Sequence, residues 1–214
     1  RAPEVVLCFP AITYINGSGK IKRMAHGDVS IRAGSPAERL YCFVNHQMAS
    51  EDIFWAVFGL IRSETLRKTG LLGKYIAADQ VLLLKLLLQG QFYQLPEHLY
   101  FRRIHPLAST VKLPQSPTYR ERVQWYDAKS TARIVLPNWR LMMESLSAIK
   151  TDHAQARCYC PIVKMFTLRW KRLARELISI PSQILDEKSI VRTSIARMIL
   201  EVWPKSLELG SGPG

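Results

Sequence analysis

A leucine-rich segment at residues 81–90, VLLLKLLLQG, is the feature that most constrains the fold of this chain. Asp79 stands just before the segment and Gly90 ends it, a pattern typical of a helix with an acidic cap and a terminal glycine. Because the helix is apolar on nearly all sides, it has to be buried. The apolar run is far shorter than the roughly 20 residues that span a bilayer. The sequence therefore predicts a buried helix with Asp79 as its N-cap.

Strand-like segments lie on both sides of this helix. Residues 4–16 predict a buried strand that ends in an Asn-Gly turn, and residues 53–61 (IFWAVFGLI) predict a second strand. Residues 92–95 and 98–103 predict two short strand segments separated by a turn at Pro96. Residues 21–35 are polar and contain glycine, which favours a loop.

Two shorter helices are also predicted. The motif Ser35-Pro36-Ala37-Glu38 is typical of a helix start and predicts a helix to about His46. A second helix opens near Ser63 and stops at Gly70. The alternation of strands and helices predicts an α/β layer.

The character of the sequence changes after Pro106. The prolines at 114 and 117 predict a linker, and residues 139–149, 161–180 and 189–203 predict amphipathic helices rich in arginine and lysine. We therefore expect an α/β part at residues 1–112, a basic helical tail at 113–209 and a flexible end at 210–214. The first residue is arginine rather than methionine, which suggests a processed, trimmed or partial chain.

The charge of the chain is strongly positive. Thirty Lys and Arg residues against 17 Asp and Glu residues give a formal net charge of +13. Such an excess implies an anionic partner, and the alternatives are nucleic acid, a phospholipid surface and a phosphorylated substrate. No nucleic-acid-binding motif accompanies the charge, which disfavours nucleic acid. For the tail, a solvated helix face is favoured over docking on anionic lipid, although both fit the pattern. The four cysteines lack zinc-ligand spacing and indicate reduced thiols in a cytoplasmic protein.

Asp79 and His105 are the residues best suited to chemistry. Asp79 is explained by a helix cap alone, but the positive end of a helix also favours an ionised carboxylate that could act as a base. His105 follows Arg102 and Arg103 at the end of a predicted strand. An imidazole can bind a divalent metal, and an arginine beside it can neutralise phosphate.

The order of these elements resembles a known family. Residues 58–106 contain an apolar segment with Phe58-Gly59, the motif R-x-x-x-L-R-x-x-G, Asp79 before the buried helix, and a strand ending in Arg-Arg-x-His. This pattern resembles the second half of the catalytic domain of family 2 glycosyltransferases, which have the GT-A fold. These enzymes transfer a sugar with inversion of the configuration at its anomeric carbon. The resemblance covers about residues 1–112. It implies an α/β fold with a partial GT-A layer followed by amphipathic α-helices.

The resemblance also implies a role for individual residues. Asp79 falls where the family has the general base that deprotonates the acceptor hydroxyl. His105 falls where many GT-A enzymes have a metal ligand, and Arg103 would lie near the donor phosphates. Phe58 and Gly59 would line the acceptor pocket. For Trp55, a place in the core is favoured over stacking on a sugar ring.

The implied activity is transfer of a sugar from a nucleotide-sugar donor to a glycan or lipid-linked acceptor, with Mn or Mg as cofactor. The family's Asp-x-Asp metal motif and its nucleotide-binding half are not found in this sequence, and Glu51-Asp52 is not in the position of that motif. We therefore expect either part of a longer enzyme or a non-catalytic relative that docks on a membrane surface or a partner protein. The expected location is the cytoplasm, including the inner face of the membrane. An exposed sheet edge could pair with a second copy of the chain, so a homo-oligomer is also an open alternative.

Overall fold

The computed structural model describes residues 2–105, 125–129, 134–152 and 154–184. Within these residues the protein is a mixed α/β structure, as predicted, with a small sheet and several helices. The predicted linker at Pro114 and Pro117, the helix at residues 189–203 and the flexible end at 210–214 lie outside the described residues.

The sheet is built around β1 (Val5–Ile15), which confirms the strand predicted at residues 4–16. β4 (Gln91–Arg103) runs parallel to β1 along its whole length. The opposite edge of β1 is shared by two antiparallel strands: β3 (Leu60–Ile61) pairs near its beginning and β2 (Ile21–Met24) near its end. The sheet is therefore mixed, with its single parallel pair formed by the two longest of these strands.

β2 corrects the prediction of a loop over residues 21–35. The turn after β1 is held by the Asn16 side chain, whose oxygen accepts hydrogen bonds from the N–H groups of Ser18 at 3.1 Å and Lys20 at 2.8 Å. This turn sends the chain back along β1. Residues 21–24 therefore form a strand although all four side chains are exposed.

β4 is one strand, rather than the two segments that were predicted on either side of a turn. The pairing with β1 shifts register between Pro10 and Ile12, so the ladder absorbs the irregularity. His98 holds this irregularity, since its Nδ1 lies 3.1 Å from the carbonyl oxygen of Ile12 and 3.2 Å from Oγ1 of Thr13. Pro96 therefore interrupts the pairing of β4 with β1 without ending the strand.

The strand predicted at residues 53–61 is wrong. Residues Glu51–Phe58 form a 3-10 helix, and only β3 is extended. Ser50 caps this helix by accepting a hydrogen bond from the backbone N–H of Asp52. Ile53 and Ala56 are both fully buried, and a spacing of three residues places side chains on one face of a 3-10 helix. The apolar run was long enough for either structure, and the serine cap decides between them.

Helix α1 (Pro36–Ala49) begins where Ser35 predicted, with a capping box formed by Ser35 and Glu38. The short helix α2 (Ser63–Lys68) also forms as predicted. α3 (Ala78–Gln89) is the predicted leucine-rich helix, and its leucines are buried against β1 and α1. Gly90 follows it, where a Cβ atom would lie 2.6 Å from the carbonyl oxygen of Glu4.

Asp79 is not the N-cap of α3, which corrects the sequence prediction. The cap is Ala77, in the left-handed region at φ 66°, and it makes no side-chain hydrogen bond. The helix starts early because the N–H of Ala78 donates to the carbonyl of Tyr75, so Asp79 already lies inside the first turn. There its Oδ1 accepts from the N–H of Gln80 at 3.0 Å.

Two buried or half-buried cations fix the position of α3. Arg39 of α1 donates to the carbonyls of Leu87 at 2.6 Å and Leu88 at 3.1 Å, which satisfies the carboxyl end of the helix. Lys85, which interrupts the leucine run, donates from Nζ to the carbonyl of Thr69 at 2.9 Å. The charged groups thus bond to backbone oxygens while the apolar side chains fill the core.

The described helices of the tail pack on this layer. They are α4 (Pro137–Thr151), α5 (Tyr159–Leu168), α6 (Trp170–Ile178) and α7 (Ile180–Ile184). α4 contacts α3 and α5 contacts α1, so Ile149 and Ile162 join one core with the leucines of α3. The single helix predicted at residues 161–180 is divided at Arg169. α5 packs one face against α1. α6 runs in another direction, in which the Glu176 carboxylate accepts hydrogen bonds from the backbone at the start of α4.

Candidate functional site

Asp79 lies in the first turn of α3, at the opposite end of the helix from the start of β4. The carboxyl end of α3 leads through Gly90 into β4 and packs on Glu4 and Val6 at the beginning of β1. The 12-residue helix is about 18 Å long, which separates Asp79 from the beginnings of the two parallel strands.

The surroundings of Asp79 disfavour its charge. Burial raises the pKa of the Asp79 carboxyl above its ordinary value, although the backbone hydrogen bond from Gln80 lowers it in part. None of the ion pairs among the described residues includes Asp79. Burial raises the pKa of the neighbouring Tyr75 to about 12, and the ring of Tyr75 is covered by the guanidinium of Arg140 at 4.5 Å. Asp79 is thus a half-buried carboxylate that binds a proton more readily than an exposed one.

Phe58 and Gly59 lie next to the middle of β1, at the end of the 3-10 helix. Phe58 is 63% exposed and stacks on Tyr100 of β4, with the ring centroids 5.4 Å apart. Gly59 is packed against β1: an added Cβ would lie 2.7 Å from the Cβ of Phe9 and would also meet the carbonyl of Cys8. Close packing therefore accounts for the glycine, while the ring of Phe58 is open to a ligand.

Arg103 and His105 lie at the end of β4. NH1 of Arg103 donates to the carbonyl of Gly17 at 2.6 Å and to that of Asn16 at 3.3 Å, so this side chain closes the turn between β1 and β2. His105 is half-buried, two residues beyond the strand. Among the described residues, Asp79 makes no hydrogen bond, ion pair or ring contact with Phe58, Arg103 or His105.

The metal site implied for His105 is not completed by its neighbours. In the part of the chain that the structure describes, no three His, Cys, Asp or Glu side chains come together as a metal-binding group. Among the described residues, His105 therefore lacks the further ligands that the implied Mn or Mg site needs, and we derive no step through a metal.

Asp52 is a second carboxylate removed from water, and the sequence predicts no role for it. It is buried at the start of the 3-10 helix, where it accepts hydrogen bonds from Tyr14 Oη and from Arg23, with Arg23 NH2 to Asp52 Oδ1 at 2.9 Å. Burial alone would raise the pKa of Asp52, but the hydrogen bonds from Arg23 and Tyr14 outweigh it and hold the pKa below its ordinary value. Asp52 is therefore a stable anion that joins β1, β2 and the 3-10 helix.

These groups line an open cleft of about 430 Å³ that we call the basic cleft. Its walls come from the ends of β1, β2 and β4 and from the start of the 3-10 helix: Tyr14, Lys22, Arg23, Ser50, Asp52, Arg102 and Ile104. Arg102 of β4, the neighbour of Arg103, also lines the cleft, and its guanidinium lies 3.8 Å from the ring centroid of Trp55. Trp55 belongs to a small second core with Ile12 and Tyr14, which agrees with the favoured prediction of a core aromatic.

The sequence contained one usable signal for the basic cleft. Lys22 and Arg23 follow the Asn-Gly turn that closes β1, and a hairpin turn there brings them opposite Tyr14, which pairs with Arg23. Predicting residues 21–35 as a loop removed this signal. The contribution of Asp52 depends on a 3-10 helix that was predicted as a strand, so its position could not be inferred.

Comparison with protein-family models, with curated proteins and with solved structures found no match. No helix within the described ranges is both long and apolar enough to cross a membrane. The fold and the two carboxylates described above are therefore the basis for a functional proposal.

Proposed function

We propose that this chain is part of an inverting glycosyltransferase of family 2, with a partial GT-A layer, and that Asp79 is its general base. The donor is a nucleotide sugar and the acceptor is a hydroxyl of a glycan or a lipid-linked glycan. The observation that carries the proposal is the environment of Asp79, a half-buried carboxylate with a raised pKa in the first turn of α3.

The chemistry asked of Asp79 is proton removal. The carboxylate takes the proton of the acceptor hydroxyl, and the oxygen forms a bond to the anomeric carbon of the donor sugar. The bond from that carbon to the diphosphate breaks, and the nucleoside diphosphate leaves with the electron pair on the side opposite the attack. A raised pKa makes Asp79 a better proton acceptor, because catalytic strength increases as the pKa of the base approaches the working pH.

The other residues that the resemblance implies have supporting parts in the proposal. The exposed ring of Phe58 offers a surface against which a sugar can stack, and Gly59 keeps the chain close to β1 beneath it. Arg103 and His105 stand at the end of β4, where a donor phosphate would be neutralised. The resemblance assigns Mn or Mg to His105, and a metal site there needs ligands in addition to the described residues.

The test is a transfer assay on the full-length encoded protein that contains this chain. Purified protein would be incubated with a panel of nucleotide sugars and with glycan and lipid-linked acceptors, with Mg and Mn present, and the released nucleoside diphosphate would be measured. Asp79→Asn is expected to lower kcat by about 100-fold or more, the usual contribution of a general base, at unchanged donor KM. Asp28→Asn, which alters an exposed carboxylate, is the control. Near-normal transfer by a folded Asp79→Asn variant would refute the role of Asp79.

A second candidate function is docking on an anionic membrane, without catalysis. α6 supports it, because exposed Trp170, Leu177 and Ile178 form an apolar strip beside the basic Lys171, Arg172 and Arg175. Glu176 holds the opposite side of α6 by accepting from the backbone N–H groups of Asn138 and Trp139 at 2.9 and 3.2 Å. A basic amphipathic helix with an exposed tryptophan is typical of proteins that lie on a bilayer surface.

Sedimentation with lipid vesicles tests this second function. The protein should bind vesicles of phosphatidylcholine that contain about 30% phosphatidylglycerol, which supplies the anionic surface. It should not bind vesicles of phosphatidylcholine alone. Trp170→Ala and Lys171→Gln should each weaken binding, whereas Lys74→Gln, on a loop outside α6, should not. Equal binding by all variants would show that α6 has only a solvated face, and the inner face of the membrane would be dropped as a location.

A further inference from the structure

Cationic side chains predominate in the described lining of the basic cleft. They are Lys22, Arg23 and Arg102, and the carboxylate among the described lining residues is Asp52. Asp52 pairs with Arg23, and its pKa is lowered, so it stays ionised at neutral pH. An anionic ligand is attracted to such a lining.

The cations are held in fixed positions by aromatic rings. The guanidinium of Arg23 lies 4.1 Å from the ring centroid of Tyr14, and that of Arg102 lies 5.5 Å from the same ring. Arg102 is also placed 3.8 Å from the ring centroid of Trp55. Stacking uses the face of a guanidinium, whereas hydrogen bonds to oxygen lie in its plane. The rings therefore orient both arginines for hydrogen bonding at a low further cost in side-chain entropy.

Arg23 can serve a ligand while keeping its ion pair. A guanidinium has five N–H donors, and Asp52 receives bonds from NH1 at 3.3 Å and NH2 at 2.9 Å. The side chain of Arg23 is still 53% exposed, so part of its donor edge faces the opening. Lys22 is exposed beside it. The volume of about 430 Å³ lies within the range of about 300–1,000 Å³ that ligand pockets usually have.

We propose that the basic cleft is a binding site for a phosphorylated ligand, which Arg23, Arg102 and Lys22 recognise through its phosphate or diphosphate oxygens. Arginine pairs supply the bidentate geometry that phosphate oxygens favour, and the lysine adds a mobile point charge. The buried Asp52 and Tyr14 position Arg23 and do not contact the ligand. This site is assigned from the cleft alone and does not depend on Asp79 as a base.

Isothermal titration of the whole chain with inorganic pyrophosphate tests the site. We expect saturable binding, weakened at least tenfold by Arg102→Gln and severalfold by Lys22→Gln. Arg32→Gln is the matched control, because it removes the same charge from an exposed arginine that pairs with Asp28 at 3.0 Å, outside the basic cleft. Lys22 is exposed, so Lys22→Gln keeps the test valid if Arg102→Gln unfolds.

Two further titrations distinguish the sources of the phosphate. Tighter binding of uridine diphosphate than of pyrophosphate would identify a nucleotide ligand. Tighter binding of a short-chain phosphatidic acid below its micelle concentration would identify a lipid phosphate, with Ile104 at the cleft contacting the chain. The inference is overturned if pyrophosphate does not bind, or if Arg32→Gln weakens binding as much as Lys22→Gln does.

Discussion

The start of α3 and the basic cleft each contain one carboxylate removed from bulk water, and the two regions treat its charge in opposite ways. At the start of α3, burial raises the pKa of Asp79, and no cation among the described residues forms an ion pair with it. In the basic cleft, Arg23 and Tyr14 outweigh the same effect of burial and lower the pKa of Asp52. The difference separates a carboxylate that is suited to accept a proton from one that serves as a fixed anion.

This comparison has a consequence for stability. Because the folded-state pKa of Asp52 is lowered, its ionised form stabilises the fold at neutral pH. Because the folded-state pKa of Asp79 is raised, its ionised form opposes folding at neutral pH. Functional residues commonly carry such a cost, and replacing them then stabilises the protein. Paired Asp→Asn variants of nearly unchanged shape can therefore separate the two roles.

The largest expected effect is that of Asp52→Asn. The variant removes the charge that Arg23 and Tyr14 satisfy, which should lower the free energy of unfolding at pH 7 by about 1–2 kcal/mol. This is below the full range for charged hydrogen bonds because Arg23 is half exposed. Thermal unfolding followed by circular dichroism would measure it, with Asp28→Asn as the exposed control. An unchanged melting temperature would mean that Asp52 is not the fixed anion described here.

A smaller change of opposite sign is expected for Asp79→Asn. The neutral side chain avoids the burial cost of the charge, and its oxygen can still accept from the N–H of Gln80. The melting temperature at pH 7 should therefore rise. The same thermal scans measure this variant. A melting temperature that falls as it does for Asp52→Asn would remove the contrast between the two regions.

The smallest expected effect is a change of these differences with pH. The stability gap between wild type and Asp52→Asn should be complete above the unfolded aspartate pKa of about 3.9 and should close as pH falls through the lower folded pKa. The gap for Asp79→Asn should open as pH rises from about 3.9 through the higher folded pKa. Urea unfolding at a series of pH values would measure both gaps, and parallel curves would contradict the assignment.

The elements that the sequence predicted well are those whose signals are local. Ser35 and Glu38 define the start of α1, and the leucines between Asp79 and Gly90 define α3, because capping and burial act within one segment. The 3-10 helix was missed since an apolar run fits either a helix or a strand. Its form depends on a cap from Ser50 and on contacts with β1.

The candidate site was predictable only in part, for the same reason. Asp79 was found because it stands just before the leucine-rich run, although it lies inside the first turn of α3 rather than at the cap. The basic cleft combines Arg23, Asp52 and Arg102, which are distant in sequence and meet only because β2 and β4 lie on opposite edges of β1. Pairing of that kind depends on the sheet as a whole, and no local pattern reports it.

The most direct test of the contrast is a titration of both carboxyl groups by carbon-13 NMR on the whole chain, with Asp79→Asn and Asp52→Asn variants to assign the signals. We predict that the pKa of Asp79 lies above the ordinary aspartate value of about 3.9, whereas that of Asp52 lies below it. A pKa of Asp79 at or below that value would contradict the account, since Asp79 would then be a stable anion like Asp52.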